Sequence, residues 1–225
     1  MKQYFASSIG KKQIVAVTGL GMVLFLIAHL LGNLLIYSGP DAFNAYAETL
    51  QSLGAVLWFA RLGLLGSVFL HFLFIILLII QNKKARSQEY AVPLHKKTRS
   101  LFAKTMRFSG LLILTYIIVH LLDYTFTPHS AENATVMGEY LGLYGHVYNS
   151  FLNPLRSLFY IATMIAISFH LVHGVQSLIQ TFGFYHDVYT PIIKKSAVVI
   201  AVIVGAGFSS IPLYVILHNQ MNGGL

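Results

Sequence analysis

The stretch TGLGMVLFLIAHLLGNLL, residues 18–35, runs for eighteen residues without an acidic, lysine or arginine side chain and holds one histidine, His29, in its interior. A helix needs about 20 predominantly apolar residues to cross a bilayer, and the flanking residues extend this run to 13–37. Four more runs of the same kind follow, at 54–80, 108–126, 155–182 and 196–217. Lipid leaves backbone groups no water to bond, so only helices or closed barrels can span it. The expected fold is an all-α integral membrane protein, one membrane domain over residues 1–225 with five transmembrane helices. The first run is too long, and lacks the small-residue cleavage site, for a removed signal peptide.

Working outward, the whole composition agrees. The chain is 56% hydrophobic and only 10% charged, against about 25% charged in soluble domains. A net charge of +8 could suggest nucleic acid, but the basic residues lie in short clusters between apolar runs, as bilayer topology requires. Lys2, Lys11, Lys12, Lys83, Lys84, Arg86, Lys96, Lys97, Arg99, Lys104, Arg107, Lys194 and Lys195 fall on one side, with only Arg61 and Arg156 towards the other. Five acids, Asp41, Glu48, Asp123, Glu132 and Glu139, lie on or near that other side. The positive-inside rule then predicts a cytoplasmic N-terminus and an external C-terminus. Residues 127–153 form the longest loop and are expected to make a short external cap. The absence of cysteine excludes thiolate-held iron–sulfur clusters and Cys-attached haem within this chain.

Four spans carry histidine within the apolar run: His29, His71, His120 and the pair His170/His173. Ionisable side chains in a bilayer are costly and mark function by default. Counting from the outer ends at 1.5 Å per residue puts His29 and His120 about 9–12 Å deep, and His71 and His170 about 24 Å deep. Two level pairs result, about 12–15 Å apart, which suits two bis-His haems, one above the other. Haem asks for two axial nitrogens across a flat slot between facing helices. Zinc would want three or four converging ligands, and only Asp123 lies nearby.

Thr18-Gly19-Leu20 precedes His29-Leu30-Leu31 with the spacing by which Ser109-Gly110-Leu111 precedes His120-Leu121-Leu122. Eleven residues are three helical turns, so Thr18 and Ser109 share a face with their histidine and would border the deeper haem. His173 is one turn from His170, and periodicity does not choose between them as ligand. Gly63, Gly66 and Gly174 could admit a macrocycle or could equally serve helix packing.

The lysine-rich N-terminus, TGLGMVLFLIAHLLGNLL, then GPDAFNAY (39–46), the His71-Phe72 of the second span, SGLLILTYIIVHLLDY (109–124) and HLVHGVQSLIQTFGF (170–184) resemble the cytochrome b subunit of type B succinate dehydrogenases and fumarate reductases, the respiratory complex II class. The resemblance covers nearly the whole chain. It implies a multi-pass subunit of the cell's inner membrane with two b haems, the outer, distal one on His29 and His120 and the cytoplasmic-side, proximal one on His71 and His170. The family's fourth-span ligand is followed by glycine at +4 and +13, which Gly174 and Gly183 match for His170. It also implies flavoprotein and iron–sulfur partners on the cytoplasmic face, and a quinone, menaquinone by the two-haem form. Dicarboxylate chemistry would belong to the flavoprotein; this chain would relay electrons to or from the quinone. Lys11, Lys104 and Arg107 are candidate propionate partners, and Glu48, Arg61, Asp123 and Tyr124 are candidate quinone contacts. Some relatives carry a carboxylate two residues before the fourth-span ligand, implicated in proton passage; Ser168 stands there, so the resemblance does not extend to that route. Oligomerisation of the complex is left open. The rival readings are a di-haem cytochrome b of the hydrogenase or formate dehydrogenase type, and a haem-free proton-coupled transporter. The latter should show broken helices at the midplane, and only Pro212 interrupts a span.

Overall fold

A computed structural model describes residues 4, 6–85, 101–128 and 130–222. Five long helices dominate: α1 (Ser8–Asn33), α3 (Ala55–Lys84), α4 (Leu101–Leu121), α7 (Pro154–Thr181) and α8 (Tyr189–Met221). All five are long and apolar enough to cross a membrane. The basic positions Lys2, Arg86, Lys96, Lys97 and Arg99 lie outside the described residues.

The helices outrun the apolar stretches that announce them. Thirty-three residues in α8 give about 50 Å of helix, against a hydrocarbon core of about 30 Å. Their polar ends therefore continue helically past the lipid. The ends are set by local chemistry. Ser7 accepts a hydrogen bond from the Gly10 amide at 3.0 Å to cap α1. Asn153 accepts from the Leu155 and Arg156 amides at 3.0 and 3.1 Å, ahead of Pro154 at the first turn of α7. Such caps satisfy amides that have no partner inside the helix. Pro212 lies within α8 and does not end it.

One end of the bundle is covered by a cap more elaborate than a single loop. Besides residues 127–153, the segment after α1 contributes a helix, α2 (Pro40–Ser52). Gly39, at φ 93°, makes the reversal that a side chain would resist, and Pro40 and Asp41 start the helix. The longer loop folds into a four-residue turn, α5 (Ala131–Ala134), a two-residue hairpin of β1 (Thr135–Val136) and β2 (Glu139–Tyr140), and α6 (Gly142–Leu152). Asn44 clasps the two parts: it donates to the Leu141 carbonyl at 2.9 Å and accepts from the Tyr144 amide at 3.0 Å. Ile36, Phe43, Tyr148, Phe151, Tyr160, Ile211 and Val215 form the core beneath this cap.

A second core, of Met164, Ile167, Leu171, Val172, Ala201 and Val204, joins α7 to α8 further along. Helix α7 is the hub, packed on α8, α4 and α1. Helix α3 packs principally along α1 and buries only Leu78 fully. Ser109 is the one fully buried residue of α4.

Candidate functional site

Two histidine constellations lie in the bundle, three helical turns apart. Nearer the cap, His29 of α1 meets His120 of α4 with ring centroids 5.8 Å apart and planes crossed at 85°. Phe25 stacks on His29 at 5.1 Å, and Phe208 of α8 closes its other side at 5.7 Å. Tyr116 stacks on His120 at 5.5 Å, with Tyr124 at 5.3 Å and Tyr160 at 6.2 Å. Asn33, one turn beyond His29, lies 3.4 Å from its ring nitrogens. Nδ1 of His120 is buried with no hydrogen-bond partner.

Eleven residues earlier on the same two helices are Thr18 and Ser109, both buried. Thr18 Oγ1 is 3.2 Å from Nδ1 of His71 on α3, which is also 3.1 Å from the Val15 carbonyl. Ser109 Oγ is 3.1 Å from Nδ1 of His170 on α7. His170 lies within Coulombic reach of His71 and of His173. The repeated Thr/Ser-Gly spacing thus places each hydroxyl against a histidine of another helix. At 1.5 Å per residue, the two levels are about 16 Å apart along α1 and α4.

The residues fit a bis-histidine haem at each level. An imidazole nitrogen stands about 2 Å from the metal it binds, so axial rings on one iron have centroids about 6 Å apart; His29 and His120 match that, with a buried nitrogen lacking any other partner. At the deeper level, His71 and His170 are each held through Nδ1, and a Cβ added to Gly174, one turn from His170, would meet nothing within 4 Å. That leaves room beside His170 on α7; Gly63, exposed, and Gly66, half-buried, lie eight and five residues from His71 towards the cap.

Of the four candidate quinone contacts, the structure brings two together. Asp123 Oδ2 accepts from the Tyr160 hydroxyl at 2.7 Å, and its Oδ1 pairs with Arg156 at 3.4 Å. Tyr124 shares a hydrogen bond with Ser150 at 2.9 Å, and Arg156 reaches the same Ser150 at 3.0 Å. Glu48 is exposed on α2, and Arg61 is exposed on α3 with its guanidinium 5.2 Å over Trp58; neither belongs to this cluster. Of the candidate propionate partners, Lys11 donates to Gln81 at 2.9 Å, tying α1 to α3 at the basic end. Lys104 and Arg107 are exposed on α4, with Arg107 two residues from Ser109.

Sequence reading missed Asn33, Tyr116, Ser150, Arg156 and Tyr160 as neighbours of the site. For Tyr116 a signal existed, since Tyr116, His120 and Tyr124 recur at every fourth residue, one stripe of a helix. Arg156 was visible only as one of two stray basic residues on the cap side.

Residues 81–208, more than half of the chain, match the family described as the succinate dehydrogenase/fumarate reductase transmembrane subunit. No curated protein and no solved structure matches the chain. Five membrane-length helices, paired intramembrane histidines and this match agree, and the chain belongs to the family of transmembrane cytochrome b subunits of succinate dehydrogenase and fumarate reductase.

Proposed function

We propose that this chain relays electrons between an iron–sulfur subunit and a membrane quinone by holding two b haems, one on His71 and His170 and one on His29 and His120. The observation that carries the reading is the stacking of two histidine constellations three turns apart on shared helices, α1 and α4. The haems would supply reversible one-electron chemistry, and the protein supplies position and electrostatics. His29 and His120 face one another from α1 and α4, while Phe25, Phe208 and Tyr116 wall their rings from water. His71 and His170 come from α3 and α7, which α1 and α4 hold at one level. His170 is preferred to His173 as ligand because its ring is the one seated on Ser109.

The basic end would face the cytoplasm and dock the iron–sulfur and flavoprotein subunits, and the cap would lie outside. Lys11, Lys104 and Arg107 are at the right end to meet propionates of the deeper haem. The quinone, menaquinone by resemblance, is proposed to react near the cap beside His120. There Asp123, Tyr124, Tyr160 and Arg156 can orient a headgroup and exchange its protons; Glu48 and Arg61 lie outside this cluster. Succinate or fumarate would react on the flavoprotein.

A reduced-minus-oxidised spectrum with haem quantified as the pyridine haemochrome tests this directly. About two b haems per chain are expected, with His29→Ala or His120→Ala removing one and His71→Ala or His170→Ala removing the other. Retention of both in His173→Ala is also expected. A folded chain from native membranes with no haem would refute the proposal.

A further inference from the structure

We propose that the Thr18-Gly19 and Ser109-Gly110 pairs are notches that hold His71 and His170 by Nδ1, so that each ring presents Nε2 as the iron ligand. Thr18 and Ser109 are then positioning residues, not ligands. The inference rests on the di-haem reading above and deepens it.

The hydrogen bonds carry the argument. Nδ1 of His71 is 3.1 Å from the Val15 carbonyl oxygen. A carbonyl can only accept, so Nδ1 must carry the proton and donate it. Thr18 directs its own hydroxyl proton into α1, to the Ile14 carbonyl at 2.8 Å. Its oxygen therefore offers a lone pair to the same Nδ1 hydrogen at 3.2 Å. A neutral imidazole protonated at Nδ1 keeps its lone pair on Nε2, the form that binds a metal.

Ser109 repeats the device on the other side of the bundle. Its hydroxyl bonds to the Met106 carbonyl at 3.2 Å, leaving the oxygen to accept from Nδ1 of His170 at 3.1 Å. The glycine that follows each hydroxyl residue lines the approach, with room for a methyl at ordinary contact but for nothing longer. A Cβ on Gly19 would already be 3.4 Å from Cε1 of His71, and one on Gly110 3.6 Å from Cε1 of His170. Any longer side chain would fill the space that the imidazole uses. Hydroxyl followed by glycine is thus one functional unit: an acceptor and the gap through which a ring reaches it.

The two notches differ in one respect. His71 has a backbone carbonyl as well as a hydroxyl, whereas the hydroxyl of Ser109 is the acceptor recorded for His170. Donation from Nδ1 makes an imidazole a more basic ligand, which favours the more highly charged ferric iron. Removing the acceptor should raise the reduction potential of the deeper haem, and more so for Ser109 than for Thr18.

The test uses the assembled complex in native membranes, with redox titration and low-spin electron paramagnetic resonance resolving the two haems. In Ser109→Ala the oxidised-to-reduced ratio of the His71/His170 haem at fixed potential should fall about tenfold, an upward shift of 59 mV for one electron. Thr18→Val should shift less, Ser109→Thr should restore the wild-type potential, and the His29/His120 haem should not move. Loss of the deeper haem alone in Ser109→Ala, regained in Ser109→Thr, would support the same role. Unchanged potentials and resonance in the Thr18→Val/Ser109→Ala double variant would overturn it. So would an equal shift of both haems, or a lost haem that Ser109→Thr does not regain. Wild-type membranes whose chain holds no haem would overturn the di-haem reading itself, a result separate from any of these.

Discussion

Replacing Gly205 with alanine should loosen the α7–α8 contact, and replacing Ser168 with alanine in the same chain should restore it. The Ser168 hydroxyl lies 3.0 Å from the Met164 carbonyl of its own helix and 3.0 Å from the Ala201 carbonyl of α8. A Cβ on Gly205 would overlap that hydroxyl oxygen and stand 3.3 Å from the Met164 carbonyl oxygen. Overpacking of this kind costs about 1–3 kcal/mol. Ser168→Ala alone forfeits a hydrogen bond worth about 1 kcal/mol. In the double variant the clash with the hydroxyl is gone, and alanine gains about 1 kcal/mol over glycine in a helix, so the loss of the bond is roughly offset. The cycle should therefore show a favourable coupling of about 2 kcal/mol, within the range seen for contacting residues. For a chain of this size that is about 4–8 °C in the midpoint. Heating the full chain in detergent and scoring the fraction still monodisperse by size exclusion reads it out. Ser168 is two residues from His170, so the single Gly205→Ala variant should also broaden the Soret band while the double variant does not. Additive effects, or a Gly205→Ala chain as stable as the wild type, would refute the packing argument.

Other expectations are more compact. Asp123→Asn and Tyr160→Phe, which disrupt the carboxylate network beside His120, should each lower quinone turnover by at least tenfold while both haems remain by pyridine haemochrome; unchanged turnover would remove this cluster from the quinone site. Gly32→Ala would put a methyl where the outer end of the exposed Tyr46 ring sits between α2 and α1, so the ring must swing away; the cost should be about 1 kcal/mol, seen as earlier proteolysis within residues 39–54. At alkaline pH the cap should fail first. Burial holds the phenols of Tyr144 and Tyr148 above the ordinary tyrosine range, so their contribution is intact below about pH 10 and is lost as the pH climbs through the raised values. A tyrosinate titration that shows these two ionising with the exposed tyrosines would contradict that.

What the sequence made legible follows from what a helix preserves. Span identity is a matter of composition, so all five membrane helices could be read from apolar runs. The level pairing of His29 with His120 follows from counting residues along a constant rise. The eleven-residue spacing put Thr18 and Ser109 on the face of their histidines, but spacing along one helix does not say which ring from another helix arrives there. Hence both could be named as haem neighbours but not as partners of His71 and His170. Helix α2 escaped notice because thirteen residues with mixed polarity read as loop; its stability comes from the Asn44 clasp and from Phe43 buried under the cap. Glu48, Arg61, Asp123 and Tyr124 were chosen by residue type and approximate depth. Only the folded chain separates the last two, which meet Arg156, Tyr160 and Ser150 from distant positions, from the first two, which do not.

The eleven-residue interval also constrains how this protein can change over evolutionary time. Between Thr18 and His29, and between Ser109 and His120, side chains facing lipid can be exchanged freely for others of similar polarity. The number of residues cannot. One inserted residue would swing His29 by about 100° around α1 and raise it by about 1.5 Å relative to Thr18, taking it away from His120 while His71 stayed in place. A deletion would do the same in the opposite sense. These two eleven-residue intervals should therefore accept substitutions but no insertions or deletions.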